Sequence, residues 1–332
     1  MDNKTKRKKV AYRKRRHRQK IFLTIFLLAA FMALAMAFFC NRGRALGFLE
    51  QGKFQKEEQI QDPAGLCVDL KGLYSSYGIL VETDSGTVIG ENRSTERIYP
   101  ASLTKIMTAI VAVEETADLD ASVRISEEMF AALYAEEASM AGFLPGENAS
   151  LRDLLYGILL PSGAECCIAF AEYIAGSESA FVELMNQKAE ELGMKHTHFV
   201  NTTGLHDREH YSTVEDISVL LRYALKNQDF REAFTSDRHS VQASEQHPEG
   251  FTFYSTMFPY MDSFAVTGGE IIGGKTGYTK EAGLCLASLA QIYGKEYILV
   301  TVKANGSHET EPFHILDAVN VYEQLGEKAG AV

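Results

Sequence analysis

Cysteine is scarce and unpatterned in this chain of 332 residues. The five that occur, Cys40, Cys67, Cys166, Cys167 and Cys285, are odd in number and repeat no spacing, so no disulfide framework is indicated. Cys166 and Cys167 adjoin in an apolar helical stretch and read as small core residues. Histidine never stands in the H-E-x-x-H arrangement of a zinc peptidase. The pairs His196-x-His198 and His206-x-x-x-His210 come nearest, but Gly204 and Asp207 make that region a loop. No metal and no cofactor is therefore expected. Internal repeats and low-complexity tracts are absent, which removes repeat architectures. Acidic residues are nearly missing from one place: residues 1–20 hold eleven Lys or Arg and a single acid, Asp2.

That absence divides the chain electrically. Only 20 of the 33 Lys and Arg follow position 44, against 43 of the 44 Asp and Glu, so a basic tail precedes an acidic body. A polybasic tail suits nucleic acid, but the next segment argues against that partner. Ile21 to Phe39 is 19 residues with Thr24 as the one clearly polar side chain. At ~1.5 Å per residue it nearly crosses a ~30 Å hydrocarbon layer. The positive-inside rule then puts residues 1–20 in the cytoplasm and the body outside, a single-pass membrane protein with an extracytoplasmic domain. Ala35-Met36-Ala37 fits the small-x-small pattern of a cleaved signal peptide, whereas the apolar run through Phe38 and Phe39 fits an uncleaved anchor. The expected organisation is a cytoplasmic tail over 1–20, a transmembrane signal-anchor over 21–40, a stalk over 41–70 and one domain over 71–328.

The 46% hydrophobic content is ample for a core. Alternation predicts a strand from Tyr77 to Thr83, a turn at Asp84-Ser85-Gly86 and a returning strand from Thr87. Helices are expected over 102–115, 151–160, 165–175, 179–192 and 213–225. The period then changes: 271–276, 283–292 and 296–304 read as strands, with a hairpin at Tyr293-Gly294-Lys295, and 313–325 closes the chain as a helix. Strands at both ends of a helical middle imply one antiparallel sheet flanked by helices, an α+β domain.

Three short motifs carry the chemistry. Ser102-Leu103-Thr104-Lys105 puts a hydroxyl nucleophile and an amine base on one helix face. A lysine in a dry site loses its proton readily and can take one from serine. Pro100 suits the helix start, and the helix N-terminus favours an incipient alkoxide. Ser162-Gly163-Ala164 follows, then Lys275-Thr276-Gly277 in a strand. Any one of these is weak; the three in this order are specific.

The trio resembles the S-x-x-K, S-D-N and K-T-G set of penicillin-binding proteins and class A β-lactamases. From Leu73 to Leu325 the chain is similar to the low-molecular-mass penicillin-binding proteins, the serine D-alanyl-D-alanine carboxypeptidase family. Tyr99-Pro100-Ala101 before Ser102, Leu154-Leu155-Tyr156-Gly157 before Pro161, and Gly274 to Thr279 extend the likeness. The resemblance implies a β-lactamase/transpeptidase-like fold. It implies Ser102 as the acylated nucleophile, Lys105 as its base and Ser162 as a proton relay. Lys275 would set the electrostatics of the cleft and Thr276 would bind the terminal carboxylate. The backbone N–H groups of Ser102 and Tyr278, beyond Gly277, would form the oxyanion hole. The implied partners are a peptidoglycan stem peptide ending in D-Ala-D-Ala, and β-lactams as inhibitors.

One position departs from that pattern. Ala164 stands where the family commonly has Asn, so an amide that could hydrogen-bond the substrate is missing. That feature supports a rival reading as a non-catalytic penicillin-binding sensor or scaffold of the cell wall. Intact Ser102, Lys105, Ser162 and Lys275 oppose it. A β-lactamase is the second rival, but no segment supplies the glutamate that such an enzyme uses for deacylation.

Overall fold

The computed structural model describes residues 65–261 and 263–331. The expected tail, membrane span and most of the stalk lie outside the described residues. Within them, the alternating segment after Tyr74 becomes β1 (Ser75–Glu82), which turns at Gly86 into β2 (Val88–Asn92). Then come α1 (Thr104–Glu115), β3 (Ser122–Arg124), α2 (Met129–Ala135), β4 (Asn148–Ser150), α3 (Leu151–Leu159), α4 (Ala164–Ala175) and α5 (Glu178–Glu191). The helical middle ends with α6 (Val214–Ala224) and α7 (Gln228–Thr235), followed by the hairpin β5 (Arg238–Val241) and β6 (Phe251–Tyr254). The chain finishes with β7 (Ala265–Val266), β8 (Gly269–Thr279), β9 (Gly283–Ile292), β10 (Lys295–Ala304) and α8 (Phe313–Ala329).

Helix boundaries follow local chemistry. Ser150, Ser177, Thr213 and Asn227 each accept a backbone N–H from three residues on, and so cap α3, α5, α6 and α7. The turn between β9 and β10 is Tyr293-Gly294, both with positive φ (47° and 79°), as a two-residue turn matched to strand twist requires.

The main sheet runs β2-β1-β10-β9-β8-β7 and every pairing is antiparallel. Alternation sorts its side chains. Ile79, Val81, Cys285, Ala287, Leu289, Ile298 and Val300 face a large core shared with α1 to α7. Leu80, Leu286, Ile292, Tyr297 and Leu299 face a second core closed by Ile315, Val321, Tyr322 and Leu325 of α8. Helices therefore cover both faces, the α+β arrangement expected from the sequence. Val68 and Leu70 are 1% exposed in the second core, and the Val68 N–H donates to the Ile89 carbonyl. The last residues assigned to a stalk thus belong to the folded domain, because the outer side of β2 offers them apolar surface.

Two features position the site. From Thr104 to Val113, α1 is buried on every side, polar Thr104, Lys105 and Thr108 included. It is the central helix, and those polar side chains need partners inside the protein. Meanwhile β7 pairs with only Gly269 and Glu270 of β8, so the stretch Lys275 to Tyr278 is an open strand edge among the described residues.

Candidate active site

Ser102 sits in a single tight turn, Ala101–Leu103, that leads into α1. The helix proper begins two residues later than the spacing suggests, yet the i, i+3 relation survives: Lys105 Nζ lies 3.1 Å from Ser102 Oγ. Ala101 has φ of 49°, a left-handed conformation that costs a residue with a side chain ~1–3 kcal/mol. Two glycines hold the turn in place. A β-carbon on Gly204 would lie 1.9 Å from the Ala101 carbonyl oxygen, and one on Gly277 would lie 3.0 Å from the Ser102 nitrogen. The nucleophile turn is thus pressed between the 201–205 loop and the open edge of β8.

That loop also serves the base. Lys105 Nζ donates to the Thr203 carbonyl at 2.6 Å. Asn201 Oδ1 accepts the Gly204 N–H at 2.7 Å, and Glu178 Oε1 accepts from both the nitrogen and the hydroxyl of Thr202. Burial pushes Lys105 below the ordinary lysine value, and the nearby Cys167, Glu165 and Cys166 oppose it only in part. Lys275, 0% exposed, donates to the Thr276 carbonyl at 2.8 Å. Burial pushes it well down, and the charge of Lys105 adds to the effect. Burial thus makes both amines give up their protons more readily than in water, which disposes Lys105 to act as a base beside Ser102.

Ser162 adopts φ of 69° and is 5% exposed, and its hydroxyl has no partner among the described residues. A strained, orphaned hydroxyl is a feature that functional sites retain. Gly163 beside it admits no side chain, since a β-carbon would meet the Ala141 β-carbon at 2.6 Å and Glu165 Oε2 at 3.0 Å. Glu165 is itself buried, with its carboxyl raised by burial, and it accepts the Ala141 and Gly142 N–H groups through Oε1. Ala164 is 1% exposed at the first turn of α4, and its N–H donates to the Ser139 carbonyl. Its methyl is buried and does not line the cleft.

Ser102, Ser162, Thr276, Gly277 and Tyr278 all line one cleft of about 340 Å³. Lys105 and Lys275 lie beneath its surface. The structure adds Ser139, Thr256 and Tyr254, with Ser307, His308 and Thr310 from the segment after β10 and His314 from the start of α8. Thr256 Oγ1 is 2.6 Å from Thr276 Oγ1, two hydroxyls side by side on the wall next to Ser102. No spacing in the sequence marks these residues, which reach the cleft only through tertiary folding. The histidine pairs do other work. Val200 N–H donates to His210 Nδ1, so His210 Nε2 donates to Thr104 Oγ1, while His206 packs edge-on against Tyr99. No cluster of three potential ligands gathers among the described residues.

The chain is similar to known proteins. Residues 69–306 match the family described as D-alanyl-D-alanine carboxypeptidase. The chain is 36% identical over 241 residues to the D-alanyl-D-alanine carboxypeptidase DacF of Bacillus subtilis, covering 70% of this chain and 58% of that protein. It is 31% identical to a D-alanyl-D-alanine carboxypeptidase of a Streptomyces strain, covering 69% of this chain and 80% of the other. The crystal structure of the Streptomyces K15 DD-transpeptidase superimposes with a TM-score of 0.68 at 26% identity, covering 78% of this chain and 98% of that one.

Proposed function

The chain belongs to the D-alanyl-D-alanine carboxypeptidase family, and from that membership we propose that it is a serine D,D-carboxypeptidase acting on peptidoglycan stem peptides that end in D-Ala-D-Ala. Ser102 Oγ attacks the carbonyl of the penultimate D-Ala while its proton passes to neutral Lys105. The peptide C–N bond then breaks, the terminal D-Ala amine leaves with a proton relayed through Ser162, and the acyl chain remains as an ester on Ser102. Water attacks the ester, returns a proton to Ser102 and releases the shortened peptide. A positioned base of this kind supplies ~10²–10⁴-fold of rate. β-Lactams follow the first half of the route and stop at the ester.

The observation that carries this reading is the 3.1 Å separation of Lys105 Nζ from Ser102 Oγ, with the lysine 2% exposed and held by the Thr203 carbonyl. A charged lysine there would be a poor base, and burial disfavours its charged form. For placement in the cell, the basic residues 1–20 and the apolar run Ile21 to Phe39 support an anchor with the catalytic domain outside.

Incubating the domain with a D-Ala-D-Ala pentapeptide and following mass by spectrometry tests the activity. Loss of one D-Ala is expected from the wild type and none from Ser102→Ala. A folded Ser102→Ala protein that still labels with fluorescent penicillin would overturn the assignment. Protease added to spheroplasts should digest the domain and spare residues 1–20; a protected domain would overturn the placement.

A further inference from the structure

Glu165 is fully buried three residues past Ser162, yet neither the acylation nor the hydrolysis described above calls on it. A carboxyl withdrawn from water is costly unless hydrogen bonds hold it. What holds this one is the segment from Ser139 to Gly142. Glu165 Oε1 accepts the Ala141 N–H at 2.7 Å and the Gly142 N–H at 2.9 Å. Its other oxygen, Oε2, lies against the Ser162-Gly163 turn, where a β-carbon on Gly163 would meet it at 3.0 Å.

That turn depends on outside support. Ser162 keeps a φ of 69°, a conformation that persists only where the surroundings impose it. The Gly163 N–H ties the turn to the Gly157 carbonyl of α3 at 2.7 Å, and the Ala164 N–H ties it to the Ser139 carbonyl at 2.8 Å. Among the described residues, three hydrogen bonds join Ala164 and Glu165 to the 139–142 segment, and two of them end on Glu165 Oε1. Ala164 beside it contributes only a methyl. Ser139 and Ser162 both line the cleft, so Glu165 braces two parts of one wall against each other.

We propose that Glu165 is a positioning residue for the proton relay: by bracing the Ser162 turn against the 139–142 segment, it holds the Ser162 hydroxyl in line with the leaving nitrogen. The role of Ser162 in this proposal rests on the carboxypeptidase reading. The hydroxyl gives its proton to that nitrogen as the C–N bond breaks, and takes in exchange the proton that Lys105 drew from Ser102. An amine cannot leave without a proton, so a displaced Ser162 slows its expulsion while attack by Ser102 is untouched. Burial raises the Glu165 carboxyl and so favours the neutral acid, which glutamine copies in shape and as an acceptor.

A leaving group that needs no proton separates this role from a structural one. Acylation rates are measured with penicillin, whose ring nitrogen must be protonated, and with an acyl-D-Ala thioester, whose thiolate departs unaided. Glu165→Ala is expected to lose ~10- to 100-fold with penicillin, as a misplaced catalytic group does. With the thioester it should change by less than ~3-fold, since no acid is required. Glu165→Gln, still an acceptor for both N–H groups, should recover most of the penicillin loss. Ser162→Ala should discriminate between the two substrates in the same way, and Glu165→Ala combined with Ser162→Ala should be no slower than Ser162→Ala alone. If Glu165→Ala does not fold, Glu165→Asp, one methylene too short to keep both bonds, takes its place. Equal losses on the two substrates, or fully additive losses in the double variant, overturn the proposal. A wild type that penicillin acylates but that leaves a D-Ala-D-Ala peptide uncut would overturn the carboxypeptidase reading alone, since the penicillin series still decides the role of Glu165.

Discussion

Gly277 of β8 approaches Ser102 so closely that a single added methyl would stand 3.0 Å from the serine nitrogen. The strand edge and the nucleophile turn are therefore one unit, and disturbance of either displaces Ser102 relative to its base. Gly277→Ala is expected to slow penicillin labelling by ~10-fold or more, because reacting groups misplaced by fractions of an ångström lose much of their advantage. Its stability cost should stay near ~1–3 kcal/mol. Labelling rate and Tm on the same protein check this; labelling at wild-type speed would mean the contact is slack.

Lys105 sits below its ordinary pKa because it is buried. Acylation should therefore rise with pH and level off below 10.5, as the amine sheds its proton. Lys105→Arg puts a permanent charge there and removes the base, since guanidinium does not deprotonate in proteins. Labelling should fall by ~10²–10⁴-fold and lose that rising limb. The rate of penicilloyl-adduct formation across pH measures both; an unchanged profile in the arginine variant would assign the base elsewhere.

His210 and His314 are both held at about 4 by burial, against an unfolded value of 6.5. Between those values the unfolded chain binds protons that the folded chain refuses. Stability is thus complete above pH 6.5 and declines as pH falls toward 4, by up to ~3 kcal/mol per histidine. Glu147 and Asp153, whose carboxyls are lowered through hydrogen bonds to histidine and serine, lose their contribution further down in the same direction. Denaturant midpoints at pH 7 and 4.5 test this. In His210→Asn the loss between those pH values should shrink by about half, and equal losses in variant and wild type would contradict the assignment.

Ala164→Asn forces an amide into a site that is 1% exposed. Overpacking is expected to cost ~1–3 kcal/mol and several degrees of Tm, with kcat/KM within ~3-fold of wild type. A tenfold gain in activity would show that the amide reaches the substrate after all.

Strong periods were legible without coordinates. The hairpin at Tyr293-Gly294, the central helix after Ser102 and the closing helix from Phe313 follow from alternation, turn chemistry and apolar spacing. The short elements α2 and α7 and the hairpin β5–β6 were not, since segments of four to eight residues hold barely two turns of pattern and owe their shape to neighbours. The site divides the same way. The motifs around Ser102, Ser162 and Lys275 announce themselves by residue type and spacing. Thr203 contributes a backbone carbonyl, Gly204 acts by having no side chain, and Thr256 matters only because it meets Thr276. None of these properties is written in local sequence.

The register of the sheet sets a timetable for the chain's birth. Tyr77 of β1 lies opposite Val302 of β10, so the first strand made must wait for nearly the last. At synthesis rates of ~5–20 residues per second that wait is on the order of ten seconds or more. Throughout it, Ile79, Leu80 and Val81 have only β2 beside them, and an isolated two-stranded ribbon is marginal in water. A newborn chain of this kind carries an exposed, sticky N-terminal ribbon until its C-terminal strands arrive, and the time to completion is governed by the slow closure of that long loop.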